Sequence, residues 1–289
     1  MSFRVKPYIS LWDKSFKESH TRNYILTMQM NLHGLSFSVF NPDKNKHIGF
    51  EAYTFTDLKD VAEIPGKFDL ILNRHEWFAY SFKKVILLYQ NSLTTLVPAP
   101  LFDEKHKSLF LGFNQPFAEN HRIIYNTIKN LDIVNVFYIP NPVAEKVLDF
   151  WPNARLGHFS SALIDCLALN FKNKLEKEVL FLQVNDGDFN LVSFSGNKLV
   201  YHNVFKYNTK EDFIYFLLAA VEQLGYNPEN IELILLGKIE KGQEIYMMLE
   251  QYIGTFRFIE KNENIGYSYV FDEMRPHNFY VLLNALQCG

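Results

Sequence analysis

A strand–turn–strand–strand pattern occurs twice in this chain, over residues 24–55 and again over residues 178–207. Each copy opens with an apolar strand, passes through a tight turn containing glycine and returns along an alternating strand. A polar turn then leads to a third strand, and helical sequence follows. A duplicated unit of this kind points to two lobes of similar build. Length agrees, because 289 residues is near the size at which a single hydrophobic core stops growing and divides. The expected division is 1–172, with an N-terminal arm and insertions, and 173–289.

Residues 1–23 read as an arm or one short leading strand, and 24–30 as the first strand of the repeat. Leu35, Phe37 and Val39 alternate with Ser36, Ser38 and Phe40, the period of two that a second strand requires. Residues 41–46 are a turn by composition, and Ile48, Phe50 and Ala52 mark the third strand. Thr56 is expected to cap a helix, helped by Asp57, that Pro65-Gly66 interrupts and that resumes from Asp69 to about Phe82. A strand over 84–89, an apolar run over 93–97 and a helix over 101–111 follow. Strands over 122–128 and 133–139 come next, then helices over 143–150 and 160–171, the last capped by Ser160 or Ser161. In the second copy, strands over 179–184, 189–194 and 198–207 form a meander with Ser195-Gly196-Asn197 as its hairpin turn. Thr209 caps a helix, and a strand over 231–236 stops at Gly237. A helix over 241–253, a strand over 255–259 and a closing helix over 276–287 complete the order β-β-β-α-β-α-β-α.

Composition narrows the function classes. A net charge of −3 leaves no broad basic field, so a nucleic-acid partner is not expected. The N-terminus lacks the apolar stretch of a signal peptide, and the longest apolar run, near 215–221, is too short to span a bilayer. No membrane association is expected, and a cytoplasmic address follows. Cys166 and Cys288, far apart in sequence, fit the thiol state of that compartment. The 27 Phe and 16 Tyr exceed what a core needs, leaving rings for a protein partner's surface.

Three stretches, 31–40, 93–98 and 184–189, together with the element order, resemble the actin-like ATPase architecture. Over about residues 20–289 the chain also resembles a bacterial family known only as a domain of unknown function and assigned that fold. The resemblance implies an α/β protein of two ribonuclease H-like lobes, each with a mixed five-stranded sheet flanked by helices, around a nucleotide cleft. In that superfamily both hairpin turns carry Asp-x-Gly, whose amides hold phosphate and whose carboxylates organise Mg²⁺. Carried over, the pattern implies nucleotide or phosphate contacts at Gly34, Ser36, Asp186, Gly187, Asp188 and Gly237. It also shows three departures: Leu32 and Asn185 stand at the two Asp positions, and Gly237 is a single glycine where a pair is usual.

Without those carboxylates little turnover should remain, since each lost preorganised group costs roughly 10²–10³ in rate. The leading expectation is therefore a catalytically degenerate actin-like protein that binds a protein partner as a scaffold, with no catalytic residue, metal ligand or cofactor. The alternative is an active ATPase or phosphotransferase that takes ATP with Mg²⁺ through Asp186 or Asp188. A ribonuclease H-like nuclease ranks last, because neither 24–30 nor 35–40 contains a carboxylate. Simpler readings cover the other signals. Gly34 and Gly187 are turn glycines needing positive φ. Asp186 and Asp188 lack the later Gly and distal Glu of a calcium loop. His75-Glu76 has no second His four residues on, so no zinc helix is expected. His158, Asp165 and Cys166 suggest a nucleophile, but the thiol falls on an apolar helix face and reads as buried and inert. The Lys-rich stretch 172–177 reads as a linker between lobes.

Overall fold

In the first copy β1 (Ile9–Trp12) leads, and β2 (Ile25–Asn31), β3 (Gly34–Asn41) and β4 (Lys46–Thr54) form an antiparallel meander, with β1 on the outer edge of β4. α1 (Ile64–Leu72) crosses to β5 (Lys84–Tyr89), which lies parallel to β2. β6 (Thr94–Pro98), α2 (Lys107–Gly112), β7 (His121–Ile128) and β8 (Ile133–Pro140) build a small separate sheet ordered β6-β8-β7. After α3 (Asn141–Phe150), β9 (Arg155–His158) returns to the main sheet parallel to β5, and α4 (Phe159–Phe171) follows. The second copy repeats the plan with a meander of β10 (Val179–Val184), β11 (Asp188–Ser195) and β12 (Lys198–Lys206). α5 (Lys210–Gln223) leads to β13 (Glu232–Gly237), and α6 (Glu244–Tyr252) to β14 (Thr255–Phe258). β13 lies parallel to β10, and β14 to β13. β15 (Gly266–Tyr267), paired with β4, and α7 (Tyr280–Asn284) close the chain.

This is a computed structural model, and it describes residues 6–56, 58–171 and 179–288. Asp57, the linker at 172–177 and the boundary at 172/173 lie outside those residues. The two large sheets share one strand order, β4-β3-β2-β5-β9 and β12-β11-β10-β13-β14, with β1 and β15 as additions to the first. The chain forms two compact units. One holds residues up to 166 with 263–274 and 281 onward; the other holds 167–262 with 275–280. No helix among the described residues is long and apolar enough to cross a membrane.

Each unit has its own core. In the first, Leu26, Met28, Phe37, Val39 and Leu87 of the sheet pack with Phe68 and Ile71 of α1 and Val143 and Val147 of α3. In the second, Leu180, Leu182, Leu191, Leu233 and Leu235 pack with Phe213, Leu217 and Val221 of α5. α5 begins where expected: the Thr209 hydroxyl accepts from Asp212 N–H at 3.0 Å and the Asp212 carboxylate accepts from Thr209 N–H at 3.1 Å, a complete capping box.

A buried carboxylate fastens β1. Glu51 on β4 accepts from Ser10 Oγ (2.7 Å), Trp12 Nε1 (3.0 Å), His75 Nε2 (2.9 Å) and the Tyr53 hydroxyl. Burial alone would push this carboxyl up; the four donors outweigh it and hold the pKa at about 2. Trp12 then packs against Phe16 at 4.7 Å and Trp77 at 5.4 Å. His47, also on β4, is fully buried: Nε2–H donates to Leu283 O at 2.8 Å, and Nδ1 lies 2.7 Å from Ser38 Oγ. Asp13 accepts from Ser268 Oγ and, at 3.2 Å, from Lys46 Nζ, so late residues complete the first unit.

Several expected elements are corrected. The first helix is not capped at Thr56 and is not interrupted by Pro65-Gly66. Asp60 and Glu63 form a capping box on a short 3₁₀ turn, and Pro65 sits in the first turn of α1, where a missing N–H costs nothing. Helix does not resume to Phe82; a 3₁₀ turn over Glu76–Ala79 buries Trp77 and Phe78 instead. The helix expected over 101–111 shortens to α2 after two 3₁₀ turns, because Asp103 accepts from Lys105 N–H and restarts the chain there. The closing helix shrinks to α7. His158, not Ser160 or Ser161, caps α4, its Nδ1 accepting from Ser160 N–H at 3.1 Å.

Gly34 and Gly187 are constrained differently. Gly187 has φ +77° with open space around it, as a turn glycine should. Gly34 does not have positive φ; a side chain there would collide with the Tyr53 carbonyl oxygen on β4. Gly34→Ala must therefore spread β3 from β4 and is expected to cost about 2–3 kcal/mol, against about 1 kcal/mol for Gly187→Ala. Urea unfolding of the two variants checks this; equal costs would refute it.

His47 also sets a pH dependence. Burial pulls its pKa from 6.5 to about 4, so the fold holds the neutral ring. The stability this gives is present above pH 6.5 and is lost as pH falls from about 6.5 through about 4, in total on the order of 3 kcal/mol. Burial lowers His202 on β12 to about 4 as well. Burial lowers His277 too, so replacing His47 with Gln should remove part of the slope of stability against pH in that window and leave the remainder to the other two rings. An unchanged slope would show that the buried ring is not the titrating group.

Candidate functional site

Four of the expected residues meet at one end of the second sheet. β10 ends at Val184, Asn185 N–H donates to Asp188 O at 2.9 Å, and Asp186-Gly187 make a two-residue turn into β11. On the neighbouring strand β13 ends at Gly237, with φ +83°. A side chain there would collide with the Val184 carbonyl and the Gln183 amide, so no other residue fits between these strands. Gly237 N–H donates to His277 O and Lys238 N–H to Val184 O, both at 2.8 Å. Asp186, Gly187, Asp188 and Gly237 are thus brought together by register alone.

Their side chains are already engaged. Asn185 Nδ2 donates to Asp188 Oδ1 at 2.6 Å, and Asn185 Oδ1 accepts from Gln183 Nε2 at 3.1 Å. Asp186 forms an ion pair with Lys238, both half-exposed. The Tyr207 hydroxyl donates to Asn185 O at 2.8 Å, and burial, then the charges of Asp186 and Asp188, raise its pKa. His277 donates from Nε2 to Ile239 O at 3.0 Å and stacks on Phe258 at 4.2 Å; burial lowers its pKa. The carboxylates of this turn therefore face an amide and an ammonium.

Gly34 and Ser36 belong to the first unit. Gly34 pairs with Asn31 across the β2–β3 hairpin, and Ser36 lies between Gln29 on β2 and Ala52 on β4. The two-residue turn is Leu32-His33, and Asn31 Oδ1 accepts from His33 N–H at 2.8 Å. Gln90, just past β5, accepts at Oε1 from Gln29 Nε2 (3.0 Å) and Asn31 Nδ2 (3.4 Å). Its N–H donates to Met30 O at 2.9 Å, as that of Lys238 does to Val184 O in the second unit.

The hairpins correspond residue by residue: Gln29-Met30-Asn31 matches Gln183-Val184-Asn185, and Leu32 matches Asp186. Leu32 is consequently not the strand-end residue that the Asp-x-Gly pattern assigned; Asn31 is. The pattern counts back two from the glycine, whereas here the glycine opens β3. The repeat Gln-x-Asn was visible in both copies of the sequence and would have identified Gln29, Asn31 and Gln183. An amide at a strand end can orient a water or hydroxyl but brings no negative charge to a cation. Among the described residues no three His, Cys, Asp or Glu side chains cluster as metal ligands.

No curated protein matches the chain. A Bacteroides thetaiotaomicron VPI-5482 protein with an actin-like ATPase fold and unknown function matches with a TM-score of 0.81 and 24% identity, over 95% of this chain and 99% of that one. A chain of the PilM–PilN type IV pilus biogenesis complex matches with a TM-score of 0.64 and 13% identity, over 92% and 98%. Residues 13–256 match the model of a protein family of unknown function, DUF3822. The chain has the actin-like ATPase fold and belongs to the DUF3822 family.

Proposed function

We propose that this protein is a catalytically degenerate member of the actin-like group that acts in the cytoplasm by binding a protein partner, as a scaffold or regulatory module. The observation that carries the reading is the pair of strand-end amides, Asn31 and Asn185, in place of carboxylates. Phosphoryl transfer crowds negative oxygens together, and a divalent cation must offset them. Lys238 moreover neutralises Asp186, and Asn185 holds Asp188 toward its own hairpin. Losing two such groups removes several kcal/mol of transition-state stabilisation, which leaves binding as the use of the frame.

Two further features support a partner. Phe113 and Phe117, just past α2, are 92% and 85% exposed. Burying one such ring stabilises an association by about 2 kcal/mol. The likeness to the PilM–PilN complex, where this fold occurs beside a second protein, points the same way.

Calorimetric titration with ATP, with and without Mg²⁺, and a phosphate-release assay test the reading. The expected result is no Mg²⁺-dependent phosphate release above background, unaltered by Asp186→Ala. Robust Mg²⁺-dependent turnover abolished by Asp186→Ala would instead establish an ATPase or phosphotransferase working through that carboxylate.

A further inference from the structure

Cys166 and Cys288 lie 122 positions apart in sequence, yet their sulfurs are 3.2 Å apart inside the first unit. Cys166 projects from α4 and is fully buried; Cys288 follows the 3₁₀ turn Ala285–Gln287 and is 8% exposed. Both are free thiols. An S–S bond is about 2.05 Å long, so closing it needs a shift of roughly an ångström, within reach of a chain segment at the edge of a unit. That segment is held by His47 Nε2–H on Leu283 O and by Arg155 Nη1–H on Cys288 O, both at 2.8 Å.

Beside Cys288 is a cavity of about 20 Å³, lined among others by Arg155, Gly157, His158, Ser161 and Asp165. Such a volume admits one molecule of about the size of water, and the polar groups of Arg155, His158, Ser161 and Asp165 stand in a mostly apolar lining. Arg155 lines this cavity while holding the Cys288 carbonyl, and Lys84 lies within electrostatic reach of Cys288. Cys166 has no such access, and burial pushes its thiol up, so it stays protonated.

We propose that Cys166 and Cys288 form an oxidisable dithiol whose oxidant is a small peroxide reaching Cys288 through this cavity. The Cys288 sulfur attacks a peroxide oxygen and the O–O bond breaks. Sulfur loses two electrons to become a sulfenic acid, and the released hydroxide leaves as water with the thiol proton. The Cys166 sulfur then attacks that of Cys288, the S–O bond breaks, and the hydroxide leaves as water with the Cys166 proton. Two thiols and hydrogen peroxide thus give one disulfide and two waters, and a small-molecule thiol reverses the change. The bond ties the end of the first unit to α4.

The test treats the intact protein with hydrogen peroxide, blocks free thiols after unfolding, and maps the peptides without reduction. The expected result is a linked Cys166–Cys288 peptide, loss of both free thiols, and a Tm about 5 °C or more higher, all reversed by dithiothreitol. In Cys166→Ser, dimedone should trap sulfenic acid at Cys288; in Cys288→Ser, Cys166 should stay reduced. Persistence of both thiols, sulfinic acid at Cys288 with Cys166 free, or only intermolecular disulfides would overturn the proposal. The wild-type peptide map decides even if a variant fails to fold.

Discussion

The first strand of each repeat is hydrogen-bonded on both edges, and most of the architecture follows from that. β2 runs between antiparallel β3 and parallel β5, and β10 between antiparallel β11 and parallel β13. A strand so placed is covered on both faces as well, and β10 is buried at all six positions. Large polar side chains gather near its end, where the neighbouring strands turn away. Gln29 and Asn31 occupy those positions in β2, and Gln183 and Asn185 flank the end of β10. The same pairing brings Gln90 and Lys238 beside them, through N–H bonds to Met30 O and Val184 O. The candidate site is therefore a product of sheet topology, repeated twice.

The repeats have diverged in chemistry. In the first unit, Gln29, Asn31 and Gln90 make an uncharged amide cluster. In the second, amides are joined by Asp186, Asp188 and Lys238, so charge enters as two carboxylates against one ammonium. Among the described residues neither arrangement gathers three His, Cys, Asp or Glu side chains into one cluster.

Element order was legible in the sequence because strands of two kinds alternate with clear helical faces. The continuous run Val-Leu-Phe-Leu-Gln-Val marks β10 as central, and the alternation from Leu35 to Phe40 marks β3. β9 and β15, of four and two residues, are too short to carry a period and were not anticipated. Pro65 looks like a break in the sequence because a proline inside a helix and one opening it are alike without the cap, and the cap is Asp60, not Thr56. Of the two expected turn glycines, Gly187 has the positive φ of a turn, whereas Gly34 opens β3 and is constrained in another way. Its need comes from a strand that is adjacent in space and distant in sequence, which no local pattern records. The proximity of Cys166 and Cys288 was hidden for the same reason.

The late segments have a bearing on how the protein is made. Asp13 bonds Ser268, and His47 bonds Leu283, spanning 255 and 236 positions. A nascent chain emerges from the ribosome N-terminus first, and early domains usually fold while later ones are still being synthesised. Here the first unit cannot be finished in that order. Its interior histidine and aspartate wait for partners translated 236 and 255 positions later, and residues 275–280, which belong to the second unit, lie between those partners. Completion of both units is thus tied to one stretch of chain, residues 263–288.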